Sequence, residues 1–259
     1  AQDFLATLVA LRENNGSSDI VKADAVGNLE LLTSRLNTQL NGNFVFAGIN
    51  TDQEPFADYS DPTSPNKLAA DAAFMTEFGM AQSNPGVSGI TPAAMSTYLN
   101  GAFETMFQNP AWGTSWSIAS SNVMVSRISA SETVSSSVSA NEQAFRDLAA
   151  AYTMMSDLGN EDLDPETWKV VVNKAIEKLG TGIADVTSQM GKLGNVQEQV
   201  KLASERLKVQ TDILNRRIND LENVNLEETS VRLNTALTQL ETTYAVTARM
   251  QGLSILNYL

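Results

Sequence analysis

Cysteine and histidine are both absent from this chain of 259 residues. Without cysteine there is no disulfide, no thiolate nucleophile and no Cys/His zinc site. Without histidine, every triad that uses imidazole as its base is excluded. The lack of cysteine does not by itself fix a compartment: it suits the cytosol, and suits equally an exported protein that must avoid disulfides in transit. Long apolar runs are missing too. None reaches the roughly 18 residues needed to cross a bilayer, and no basic, apolar and small-residue segments of a signal peptide open the chain. Ala1 already lies inside what reads as a helix, so this end reads as a trimmed edge. Basic charge is scarce: 17 Lys and Arg against 30 Asp and Glu leave a net charge of −13. Nucleic acid and anionic membrane surfaces call for clustered Lys and Arg, so neither is an expected partner.

What is present is apolar material, 42% of residues against 18% charged, enough to bury a core rather than stay disordered. The clearest pattern occupies residues 196–259. Val196, Val200, Ala203, Leu207, Leu214, Leu221 and Val224 step by four and three, with polar layers at Gln210 and Arg217. That is a heptad seam, the mark of a helix that expects another helix along its length, and its polar layers fix register and partner. The seam resumes at Leu233, Leu237, Leu240 and Tyr244, and Leu253, Ile255 and Leu256 extend it. Beyond residue 223 only Glu227, Glu228, Arg232, Glu241 and Arg249 carry charge. A terminus this apolar frays unless something holds it.

Ahead of this seam the periodicity predicts helices at both ends of the chain and a different texture between them. Phe4, Leu8 and Leu11 share a helical face, with a stop at Asn14-Asn15-Gly16. Ser17 or Ser18 then caps a second helix whose face is Ala25, Leu29, Leu32, Leu36 and Leu40, ended by Asn41-Gly42. At Phe44 the heptads cease. Residues 44–49 read as a short strand and Asn50 to Phe56 as a turn; Leu68 to Met80 reads as a helix. Thr91-Pro92 opens a helix to about Phe107, and Trp112 to Ile118 and Val123 to Ile128 read as strands. Helix returns from Ser139 with Phe145, Leu148, Ala149 and Tyr152 on one face, ending at Gly159-Asn160. Asp164-Pro165-Glu166 starts another, carrying Trp168, Val171, Val172, Ala175 and Leu179 to Gly180. Ile183, Val186, Met190 and Leu193 lead into the long C-terminal helix, which is expected to begin near Gly182. The fold expected is mainly α, an elongated helical bundle or coiled-coil rod with an inserted mixed α+β domain. Its parts are 1–43 and 136–223 for the rod, 44–135 for a separate projecting insertion, and 224–259 for an assembly helix.

Candidate chemistry is thin. The acids Glu161, Asp162, Asp164 and Glu166 lack the ligand spacing and central glycine of a calcium loop and sit where a helix start favours negative charge. Gly180-Thr-Gly182 resembles half a dinucleotide loop, but a helix precedes it and Asp185 stands at the third glycine position. The serine-rich stretch from Ser115 to Ser139 has no Ser-x-x-Lys, and Arg127 is its only base. Asp58 with Asp61, or Glu77 with Glu104, offer the two carboxylates that glycoside hydrolysis requires, as any acidic domain does. No catalytic, metal or cofactor residues are therefore singled out.

Three stretches carry a family resemblance. Leu193-Gly194-Asn195-Val196-Gln197, Arg216-Arg217-Ile218-Asn219-Asp220 and Met250-Gln251 through Leu259 resemble the C-terminal region of the flagellin superfamily. Phe44-Val45-Phe46-Ala47-Gly48-Ile49 through Pro55-Phe56 resembles the corresponding segment of the flagellar hook-associated protein 3 family, the hook–filament junction proteins. Trp116 to Gly159, with Arg127-Ile128-Ser129 and Ser139-Ala140-Asn141-Glu142, is similar to alphaproteobacterial versions. The likeness covers nearly the whole chain, although the long N-terminal helical region with which family members begin is mostly missing. It implies a non-enzymatic structural subunit without cofactors, exported unfolded through the flagellar type III apparatus and placed at the hook–filament junction. Its implied partners are its own copies, hook-associated neighbours, flagellin and an export chaperone, with neither nucleic acid nor membrane among them. A bulk filament flagellin is the nearest alternative; a secreted carbohydrate-acting enzyme and a secreted coiled-coil adhesin are alternatives of other classes.

Overall fold

The computed structural model describes residues 1–13 and 18–252. The predicted stop at 14–16, the cap at Ser17 and the apolar residues Leu253, Ile255 and Leu256 lie outside the described residues. The fold is mainly α. Helix α1 (Gln2–Glu13) is followed by α2 (Ser18–Leu36) and a hairpin of β1 (Gln39–Leu40) and β2 (Asn43–Phe44). Then come α3 (Pro65–Phe78), a 3₁₀ turn at Pro85–Gly89, and α4 (Pro92–Tyr98), which passes through a π-helical stretch into α5 (Glu104–Met106). Helix α6 (Ala111–Ser115), the hairpin of β3 (Val125–Arg127) and β4 (Thr133–Ser135), α7 (Gln143–Ser156), α8 (Pro165–Glu222) and α9 (Leu226–Gly252) complete the order. Each hairpin is an antiparallel pair on its own.

Helix α7 is the centre of the first compact unit, residues 1–200. The sequence gives it one apolar face; in the structure every residue from Arg146 to Ser156 is buried. Ala149-Ala150-Ala151 makes this possible, because three small side chains in succession let neighbours approach from all sides. Phe4, Leu8, Val21, Ala25, Leu29 and Leu36 bring α1 and α2 into the same core, and α2 makes its most extensive packing against α7. On α8, Trp168, Val171, Val172, Ala175 and Leu179 are buried as the four-and-three spacing predicts. The helix then runs on through Gly180 and Gly182 without a break, so the expected end at Gly180 and new start near Gly182 are corrected. Gly182 instead lies where α8 crosses α7: a Cβ there would stand 3.0 Å from Leu148 and 3.1 Å from the Ala144 carbonyl oxygen.

Segment 44–135 does not stand apart. Phe56, Phe74, Tyr98, Phe103, Trp112 and Trp116 belong to one continuous buried cluster with Phe4, Leu29, Tyr152, Trp168 and Leu179. Its prolines and glycines punctuate short helices, each burying one face in the shared core, rather than bounding a second core. The strand expected at Trp112 is helix α6, with both indoles buried, and only Ser117 bridges extended backbone, to Phe56. Asn41-Gly42 does not end α2 either. Both residues have positive φ, 52° and 82°, and form the two-residue loop between β1 and β2; Asn-Gly is the preferred pair for such a turn because both positions need the left-handed region. Leu40 accordingly leaves the α2 face and is exposed in β1.

Candidate assembly surface

The second compact unit begins at Lys201. It comprises the end of α8, a three-residue break at Asn223 to Asn225, and α9. Asn225 starts α9 as a cap, its Oδ1 accepting hydrogen bonds from the amides of Glu227 (3.0 Å) and Glu228 (3.3 Å). Acids in that first turn and Arg249 in the last turn complement the helix dipole. Arg232 and Glu228 pair across one turn at 2.7 Å in full exposure, a contact worth a few tenths of a kcal/mol. All six threonines of α9 donate their hydroxyl protons to the carbonyl four residues earlier: Thr229, Thr235, Thr238, Thr242, Thr243 and Thr247.

No described residue of α9 is buried. Leu233, Leu237, Leu240 and Tyr244 of the predicted seam are 60%, 51%, 52% and 68% exposed. On α8, Val200, Leu207, Leu214 and Leu221 are exposed as well, and Ala203 alone of that seam is buried. At 100° per residue these side chains share one flank of α8 with Ile218, while Leu202, Val209 and Ile213, also exposed, lie on another. Arg206, Gln210 and Arg217 run between the two stripes. Lys201, Glu205, Lys208, Asp212, Asn215 and Asn219 occupy the remaining face. The result is a helix with two apolar flanks and one charged back.

The residues weighed as catalytic candidates are engaged elsewhere. Asp164 Oδ2 accepts from the Glu166 amide at 3.1 Å, a capping contact at the start of α8; Glu161 pairs with Lys22 and Glu166 with Lys169. Gly180, Gly182 and Asp185 are in mid-helix. Arg127 lies in β3, exposed. Asp58 accepts from the Ser60 amide, and Asp61 from the Thr63 hydroxyl and amide, which together hold its carboxyl below the ordinary range. Glu77 is exposed, whereas Glu104 pairs with Lys178 at 2.6 Å. No group of three Asp or Glu among the described residues is placed to hold a metal ion, and no described helix is long and apolar enough to cross a membrane.

Two charge clusters are not legible in the sequence because their joining contacts are distant along it: 74 and 31 residues from Lys178 to Glu104 and Asp147, and 90 and 98 from Lys67 and Tyr59 to Asp157. Lys178 Nζ donates to Glu104 and, at 2.9 Å, to the buried Asp147. Lys67 donates to Asp71 and, at 2.7 Å, to Asp157, which also accepts from the Tyr59 hydroxyl at 2.8 Å. Gln82 joins the second cluster, donating to Asp71 and accepting from the amide of Leu158. The first ties α5 and α7 to α8, and the second ties α3 to the end of α7, where Lys67, Asp71, Gln82 and Asp157 line a shallow surface cavity.

Residues 176–259 match the family of the bacterial flagellin C-terminal helical region. The match takes in the exposed seams of α8 and α9 in full and supports a place in the flagellin superfamily, whose members are structural parts of the flagellum. No curated protein and no solved structure matches the chain.

Proposed function

We propose that the protein is a structural subunit of the bacterial flagellum that joins hook to filament, assembling through its C-terminal helices and catalysing nothing. The observation that carries this reading is the unburied heptad seam of α8 and α9 inside a region that matches the flagellin C-terminal helices. Each large apolar side chain is worth roughly 1.5–3 kcal/mol when fully buried, far above the few tenths that helix propensity contributes per residue. Partner helices, from its own copies and from neighbouring axial proteins, supply that burial outside the cell. The contacts are head-to-tail, since only a heterologous contact that repeats builds a helical tube. The likeness of 44–56 and 116–159 to junction proteins favours the junction over the body of the filament.

Electron microscopy of a strain lacking the gene tests this. Intact hooks with detached filaments are expected. Loss of the filament mass itself assigns the protein to bulk flagellin, and unchanged, attached filaments refute both.

A further inference from the structure

Five side chains from four segments stack face to face through the core of residues 1–200. Lys67 Nζ lies 5.7 Å from the centre of the Tyr59 ring. Tyr59 stacks on Trp116 at 5.4 Å and 8°, Trp116 on Trp112 at 5.8 Å and 6°, and the Arg146 guanidinium covers the far face of Trp112 at 5.3 Å. Phe56 and Phe107 wall the indole pair, at 5.6 Å from Trp112 and 4.8 Å from Trp116 respectively. Stacking and cation–π contacts stabilise the fold whatever else they do. The polar atoms of the stack are less symmetrical. Trp116 Nε1 is buried with no hydrogen-bond partner among the described residues. Trp112 Nε1 donates to the amide oxygen of Asn141 at 2.8 Å, and an amide is a poor base. Only Tyr59 O–H points at a carboxylate, Asp157 Oδ2 at 2.8 Å, an oxygen that also accepts from Lys67.

We propose that this stack is a one-electron relay that carries oxidising equivalents from the buried Trp112–Trp116 pair to Tyr59. The initiating reagent is a one-electron oxidant, such as a photo-excited sensitiser, which takes one electron from an indole and leaves an indole radical cation. That cation lies against Arg146, whose charge repels it in a medium of low dielectric, while the Asp157 charge favours the electron vacancy on the Tyr59 side. The indole N–H groups have no good base to receive a proton. Tyr59 returns one electron to the indole and passes its phenolic proton to Asp157. The products are a restored indole, a neutral phenoxyl radical and a protonated carboxyl, so charge and atoms balance. Burial, and then the Asp157 charge and hydrogen bond, push the Tyr59 phenol well above its ordinary pKa; the resting phenol therefore keeps its proton until the electron leaves. Tyr59 lies at the edge of the core, where reductants reach it more readily than they reach the indoles.

Sensitised photo-oxidation of the whole protein, read by electron paramagnetic resonance and by peptide mass spectrometry, tests the relay. Among the buried tyrosines Tyr59 is expected to be modified first in the unaltered protein, ahead of Tyr98 and Tyr152; the exposed Tyr244 falls outside this order. Tyr59→Phe should reduce the tyrosyl signal several-fold and raise oxidised products at Trp112 and Trp116 by a similar factor. Asp157→Asn, which keeps the phenol and removes its base, should do the same. Asp71→Asn, which disturbs the same Lys67 cluster but leaves the base in place, should not. Equal modification of Tyr98, Tyr152 and Tyr59 in the unaltered protein overturns the proposal even if a variant fails to fold. So does an unchanged indole product yield in a folded Tyr59→Phe protein.

Discussion

At Gly48 the backbone φ is +65°, and a Cβ built there would sit 2.2 Å from the Ser120 carbonyl oxygen and 2.6 Å from that of Asn122. Gly42 has φ +82° but open space around it. The two positions separate conformational strain from steric exclusion. Gly42→Ala should cost about 1 kcal/mol, the penalty of a left-handed alanine, whereas Gly48→Ala should cost about 3 kcal/mol or more, because the Ser120 backbone must also move. Urea denaturation of the two variants checks the difference; equal losses would mean that the 44–50 loop yields freely. At Lys178, burial lowers the pKa of the ammonium, but the hydrogen bonds and charges of Glu104 and Asp147 outweigh it, and the folded value lies above the ordinary one for lysine. A raised lysine stabilises fully below its unfolded pKa of about 10.4 and loses that contribution as pH rises through the folded value. Lys178→Met should therefore destabilise by about 3–5 kcal/mol at neutral pH, since it leaves carboxylates buried without a counter-charge. The deficit should stay constant to about pH 10 and shrink above it. A urea series from pH 7 to pH 11 on both proteins tests the sign as well as the size.

At the scale of elements, α7 and α9 lie at opposite ends of a range. One is buried on every side and the other nowhere among its described residues. Substituting Leu237 and Leu240 by Asp should leave the thermal unfolding of residues 1–200 unchanged within a degree or two, because neither leucine is buried in the isolated chain. The same change should abolish incorporation at the hook tip when the protein is added to hook-bearing cells. Filaments that still grow and stay attached would remove α9 as the assembly element. The periodic parts of these helices were legible in the sequence: Trp168 to Leu179 and Ala25 to Leu36 follow the four-and-three rule, and Thr91 caps α4, accepting from the Ala94 amide. What misled were residues with two meanings. Asn-Gly ends helices and also turns hairpins, and only the partner strand at Asn43 decides between them. Glycine in a helical pattern reads as a stop, yet Gly182 is there because α8 crosses α7 too closely for a side chain. Trp112 and Trp116 suit a strand by type, since aromatic residues favour strands, but their spacing of four is that of one helical face.

Across the whole molecule, the division into compact units falls after Val200, in the middle of an unbroken helix, and not at Phe44 or Ser135 where the composition changes. Composition reports what a segment is made of, but a core is shared by whichever faces meet, and those meetings are long-range. Trypsin should therefore cut first beyond Lys201, where helix opens locally at little cost, and leave a resistant fragment close to residues 1–200. Early cleavage at Arg127 would place the weak point in the β3–β4 hairpin instead.

Because each threonine of α9 already gives its proton to its own backbone, a neighbour that covers these side chains need provide no acceptor for them. Dehydrating the threonines strands no donor, and over that part of the surface fit is a matter of contour and apolar area. Helix α9 can then accept neighbours of differing polarity along its threonine positions. Its association should strengthen in sulfate, which favours burial, and respond little to sodium chloride, which screens charge.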